Sequence, residues 1–314
     1  MRHHRRFSPV WLQALGVVAS LLAGLIVELF VGLFVGLMPT PVHAAEGPRI
    51  TIVDGDALLV DGSRAWQAAE GLGLGPATLV HTAVGSRLLR VEWPDGTAAD
   101  FGPDTQAMVA PPALGGRAKP AAVYLLRGWL KLSSLGSGPA SMSPGATTPA
   151  LELLAHQGAV VLMVAGGETW AFAESGRAPL QEREAASPAR PVLKPGEVYR
   201  RDGQAAGAVA PRPTPAQMQR VPRGFRESLP LRRAAVAGRA VTPRAAPAPR
   251  YAELRDWLVA TDPALRRPFA RRFAARVREA DFRSGLLADL PRHPEWEPLL
   301  FPERSPAKPA TATR

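Results

Sequence analysis

Apolar positions along the chain follow three different periods, and each period predicts a different element. From Val10 to Met38 they are nearly continuous, interrupted by the polar Gln13, Ser20 and Glu28, which is enough apolar chain for a helix that enters or crosses a bilayer. Between Arg49 and about Arg201 they come in short runs rich in Val, Leu, Ile and Trp, parted by Asp-Gly, Gly-Gly and Pro-Gly breakers, as in ITIVDGDALLVDG and AVVLMVAGGETWAFAESG. Runs of this kind predict a mainly β domain of antiparallel strands, a sandwich or a barrel-like sheet. Polar, small-residue loops at 111–120 and 133–149 separate its halves. After Tyr251 the spacing becomes helical: Leu265, Phe269, Phe273 and Val277 share one face, and Arg267, Arg271 and Arg278 lie opposite. Thr261 or Asp262 can cap this helix with Pro263 in its first turn. Pro268 predicts a boundary or kink one turn later.

The block MRHHRR ahead of the apolar run gives the N-terminus the charge pattern of an export signal, and Val42-His43-Ala44 fits a small-residue cleavage site. The run is longer than an ordinary signal core, so residues 1–44 read as a signal peptide or a membrane anchor, with the body exported to the periplasm in either case. The rest divides into a β-domain at 45–205, a Pro/Ala/Arg-rich linker at 206–250, a small α-helical segment at 251–304 and a disordered tail at 305–314. Within the linker the island VPRGFRESLPLRR carries enough Phe and Leu to dock on a neighbour. On this division, removing residues 251–314 should leave a soluble β-domain.

The stretch LLRVEWPDGTAADFGPDT, at 88–105, holds four carboxylates: Glu92, Asp95, Asp100 and Asp104. Strand register decides what they are for. A two-residue turn at Asp95-Gly96 would set Val91 against Asp100 and place a carboxylate on the apolar side. A three-residue turn through Pro94, Asp95 and Gly96 instead pairs Trp93 with Thr97, Val91 with Ala99 and Leu89 with Phe101, and sets Arg90 opposite Asp100. Glu92 and Asp100 then project from the outer face, where an exposed ion pair contributes at most about 1 kcal/mol.

The run from Gly71 to Val109, with Thr82, Gly85, Asp95, Gly96, Thr97 and Thr105 at its marked positions, resembles the core of the FecR domain. TPALELLAHQGAVVLMVAGGETWAFAESG resembles that domain's second half and VLKPGEVYRRDG its closing strand, so the resemblance covers about residues 49–203. It implies a FecR-type periplasmic β-domain, as in iron-citrate-type sensor regulators, that works through protein contacts. Members that control sigma factors carry a cytoplasmic domain of several dozen residues before their membrane span. Here MRHHRRFSP stands in that place, so what the resemblance transfers is the exported β-domain and its tendency toward protein contacts.

The chain has no cysteine and a formal charge of +11. Disulfides and thiolate metal sites are therefore excluded. The excess is C-terminal: residues 1–180 carry 12 basic and 13 acidic side chains, 181–314 carry 26 and 14. No G-x-S-x-G or H-E-x-x-H occurs, and the six histidines, His81 and His156 among them, are scattered. Asp54-Gly55-Asp56 begins like a calcium loop but lacks the later ligands. Trp66, Trp93, Trp129 and Trp170 fall at strand positions and read as core. The expectation is a non-enzymatic protein without cofactor or metal, whose partner is another envelope or membrane protein. The candidate partner-binding residues are Arg267, Arg271 and Arg278, and the alternative is an anionic envelope polymer or membrane surface met by the Arg-rich C-terminal part. Export argues against nucleic acid.

Overall fold

The computed structural model describes residues 47–112, 121–135, 143–183, 189–203 and 205–304. The expected signal peptide or anchor and the tail after residue 304 lie outside the described residues. Among the described residues no helix is long and apolar enough to cross a membrane.

The described chain is mainly β, with short helices toward its C-terminus. Its first seven strands are β1 (Arg49–Asp54), β2 (Ala57–Asp61), β3 (Arg64–Gln67), β4 (Thr78–Thr82), β5 (Leu88–Glu92), β6 (Thr97–Phe101) and β7 (Gln106–Val109). Next come β8 (Val123–Ser134), β9 (Ala146–Thr147), β10 (Leu151–Leu153), β11 (Ala159–Ala165), β12 (Glu168–Ala173) and β13 (Ala178–Glu182). The last are β14 (Val192–Leu193), β15 (Val198–Asp202), β16 (Ala208–Ala210) and β17 (Ala245–Ala246). Helices α1 (Pro215–Arg220), α2 (Arg233–Val236), α3 (Tyr251–Leu258), α4 (Pro263–Arg272), α5 (Ala280–Ala288) and α6 (Glu297–Leu300) follow or interleave, with short 3-10 turns at Arg223–Phe225, Ala274–Arg278, Leu290–Arg292, Pro294–Trp296 and Pro302–Arg304.

Strand β8 organises the sheet. Its second half lies between β6 and β11 in the order β16-β15-β12-β11-β8-β6-β5-β1. Its first half lies between β7 and β9 in the order β14-β13-β10-β9-β8-β7-β4-β2-β3-β17. Every pairing is antiparallel except β8 with β9. The two halves fold over a shared core in which Leu59, Val80, Ala107 and Leu125 meet Leu89, Phe101, Leu132 and Leu162. Alternate residues supply that core, as the period of two requires.

The bend in β8 falls at Gly128, whose φ is +96°. A bulge beside it skips one residue, so that Gln106 faces Arg127 while Ala107 faces Leu125. A Cβ on Gly128 would lie 2.5 Å from the Cα of Thr105. Gly128→Ala therefore combines a left-handed backbone with a backbone clash, and should lower stability by about 2–3 kcal/mol. Denaturant melts of the two proteins would check this, and a shift below about 0.5 kcal/mol would count against it.

The hairpin at 88–105 has the register that alternation predicts. Leu89 faces Phe101, Arg90 faces Asp100, and Val91 faces Ala99. Trp93 N–H donates to Thr97 O at 2.9 Å, and Gly96 takes φ +84° at the tip. One expectation is corrected: the charged face is not in solvent, since Arg90, Glu92 and Asp100 are all 2% exposed or less. The cover is the Pro/Ala/Arg-rich stretch. Its VPRGFRESLPLRR island docks as composition predicts, with Val221 and Phe225 packed among Leu88, Val161, Met163, Trp170 and Val198. Thr214 and Gln217 close a capping box that starts α1.

The opposite outer face belongs to the C-terminal helices. Val60, Ala65, Leu79, Met108 and Tyr124 from the sheet form one cluster with Leu254, Trp257, Leu258, Phe269 and Phe273. The helical segment thus shares a buried cluster with the outer face of the sheet, a contact that the division into separate segments does not include. Asp262 caps α4, accepting from Ala264 N at 2.8 Å. Pro268 does not end the helix, which runs on to Arg272 because Leu265, Phe269 and Phe273 anchor it on both sides of the proline. Val277 is buried as expected, but on the 3-10 turn Ala274–Arg278. Of the four tryptophans read as core, Trp170 is fully buried, while Trp66, Trp93 and Trp129 are half-buried.

Candidate functional site

The carboxylates that stand out in the sequence are engaged by the chain itself. Arg90 grips Asp100 bidentately, Nε to Oδ1 at 2.6 Å and Nη2 to Oδ2 at 2.8 Å, and its Nη1 donates to the carbonyls of Leu229 and Pro230. Lys131, opposite Asp100 on the next strand, donates to Phe225 O at 2.7 Å and pairs with Glu174 at 2.6 Å. Burial pushes the Asp100 carboxyl upward, against the pull of Arg90 and Lys131. Glu92 accepts from Thr51 Oγ1 at 2.9 Å and from the backbone N–H groups of Arg232 and Arg233, the donors that the start of α2 would otherwise leave unpaired. This network fastens the strap at 221–233 to the sheet.

The open site lies on the other side. Two adjacent rows of side chains cross the sheet face that meets the helices. One row, Ala65-Val60-Leu79-Met108-Tyr124, is apolar and covered. The next, two positions along each of the first four strands, reads Gln67-Leu58-His81-Gln106-Arg127. Above it α3 stands off, leaving a cleft of about 520 Å³ walled by Asp56, Glu253 and Asp256. Trp257 Nε1 donates to His81 Nε2 at 3.2 Å, which assigns the imidazole proton to Nδ1. Burial, with the Arg127 charge, lowers the His81 pKa to about 4, so the ring is neutral at ordinary pH. Arg127 pairs with Asp104 at 2.9 Å and more loosely with Asp256 at 3.6 Å. His81 appears in the sequence as one scattered histidine. Gln106 and Arg127 become its neighbours only through the pairing of three strands and the bulge at β8.

The C-terminal arginines fall into two groups. Arg266 binds Glu295 at 2.9 Å, and Arg272 donates to the carbonyls of Val60, Gly62 and Ala77 while lying over Phe269 and Phe273. Arg276 pairs with Glu279, donates to Pro249 O and lies 4.4 Å from the Phe282 ring centre. Arg255 donates twice to Asp289 and holds that carboxyl at about 2. Arg267 and Arg271 on α4 are exposed, Arg278 is exposed on the 3-10 turn beyond the helix, and none of the three has a partner among the described residues. Among the described residues, no three acidic or histidine side chains converge as a metal site would require. Asp54, at the start of the calcium-like stretch, pairs with Arg87.

No protein-family model matches the chain, and no curated protein does. Two crystal structures of a candidate anti-sigma factor from Parabacteroides distasonis are similar over 42% of this chain, at 15% identity and TM-scores of 0.32 and 0.31. The chain spans 57% of that protein's length in each.

Proposed function

We propose that the chain is an exported, FecR-like envelope protein that works without catalysis, as a scaffold or signalling adaptor meeting another envelope or membrane protein in the periplasm. The observation that carries this reading is the division among the C-terminal arginines. Those needed by the fold are held inside it, whereas Arg267 and Arg271 on α4 and Arg278 on the 3-10 turn after it are exposed. Guanidinium groups presented from a helix and the turn that follows it suit an acidic protein surface, since bidentate pairing supplies orientation as well as attraction. The internal use of Glu92 and Asp100 agrees with a non-catalytic role. A second reading, an anionic envelope polymer or membrane surface, draws on the same three side chains.

Crosslinking of the full chain in whole cells, followed by identification of the captured protein, tests the first reading. Replacing Arg267, Arg271 and Arg278 with Ser should reduce capture by about tenfold or more. Undiminished capture would remove this face from the interface. Ionic strength separates the readings, because polymer binding falls steeply with salt whereas an interface with an apolar centre keeps most of its affinity.

A further inference from the structure

We propose that the cleft between α3 and the sheet is a binding site for a cationic group bearing N–H donors, a guanidinium or a primary ammonium. The contrast between the two rows is the first ground. Where helices cover this face the row is apolar, and one step along it becomes Gln67, His81, Gln106 and Arg127, with Leu58 the apolar member. A groove formed merely by a helix lifting off a sheet would continue the apolar face. The bulge at β8 adds to this contrast by bringing Arg127, in place of Leu126, opposite Gln106.

Gln106 is the second ground. It lines the cleft, is 8% exposed, and its Oε1 has no hydrogen-bond donor among the described residues. A buried amide left unpaired is costly to a fold, and a ligand N–H would satisfy it. Charge is the third ground. Asp56, Glu253 and Asp256 wall the cleft and Asp104 adjoins it through Arg127, so four carboxylates face three guanidinium groups, Arg127, Arg250 and Arg272, the last of which acts on His81 through its charge. Asp56 has no side-chain partner among the described residues. His81 adds no positive charge, being held neutral against Trp257. The volume of about 520 Å³ accommodates such a group with the chain that bears it. This site is separate from the arginine face, so either can fail without the other.

The cation can come from a free small amine or from an Arg or Lys side chain of a polypeptide. Calorimetric titration of the full chain with agmatine, and in parallel with the blocked peptide acetyl-Gly-Arg-Gly-amide, distinguishes them. At least one should bind saturably at one site per chain, and the tighter of the two identifies the source. Asp56→Asn with Asp256→Asn should weaken that binding about tenfold or more. Gln106→Leu should weaken it similarly while the melting temperature holds or rises, a combination that a purely structural glutamine would not give. Asp56 is exposed and unpartnered, so Asp56→Asn alone keeps the fold and still must weaken binding. Absence of saturable binding by both probes, or binding unchanged in these variants, overturns the proposal.

Discussion

Deleting residues 251–314 is expected to cost the chain its solubility and its cooperative unfolding. The deletion strips the cover from Val60, Leu79, Met108 and Tyr124, which are at most 2% exposed in the intact fold. It removes Trp257, whose ring centre lies 6.0 Å from that of Tyr124, and Arg272, which satisfies three backbone carbonyls of the sheet and its turns. Re-exposing side chains of this size costs about 1.5–3 kcal/mol each, so the loss is on the order of 10 kcal/mol. That is comparable with the whole stability of an ordinary domain, about 5–15 kcal/mol. The uncovered row is also contiguous across five strands, the kind of patch that drives association. Size-exclusion chromatography and thermal melts of the truncated chain provide the measurement. A monomer that melts cooperatively within a few degrees of the full chain would show that the helices are an accessory.

Such dispensability is what composition alone suggests, and the reason it misleads is specific. A strand with one face on a core and one face in solvent alternates apolar and polar residues. Strand β2, ALLVD, does not: Leu58, Leu59 and Val60 are consecutive, with Leu59 in the inter-sheet core and Val60 under the helices. Strand β7, QAMV, is likewise apolar on both faces after Gln106. These runs announce a second covered face but do not identify its cover, because short apolar runs look the same whether a helix or another sheet lies above them.

Local features were more legible. The register of the 88–105 hairpin follows from its own eighteen residues, since one arrangement keeps its carboxylates off the apolar face and also pairs Arg90 with Asp100. The Asp262 cap and the buried face of α4 are equally local. The fate of the charged face was not legible, because its partners lie 139 to 141 positions away, in a stretch whose Pro and Ala content resembles a free linker. The polar row at the cleft has the same character. Gln67, His81, Gln106 and Arg127 share no motif, and strand pairing alone brings them together.

Asp100→Asn is expected to destabilise the fold by about 3–5 kcal/mol, far more than the same substitution in a solvent-facing pair. Asp100 lies between Arg90 and Lys131 in one cross-strand row, and all three are buried. Neutralising the carboxylate leaves two cations side by side beneath the strap, with Lys131 retaining Glu174 and the Phe225 carbonyl, and Arg90 retaining the Leu229 and Pro230 carbonyls and the more distant charge of Glu92. The strap should then loosen, and cleavage by trypsin at the exposed Arg223 and Arg226 should accelerate. Replacing both partners, Arg90→Met with Asp100→Leu, should recover most of the loss, since no buried charge of the pair is then left alone. Urea melts of the two variants measure this difference. A single variant within about 1 kcal/mol of the parent would mean that water reaches the pair. The strap would then be a loose cover, and the charged face of the hairpin would be functionally open after all.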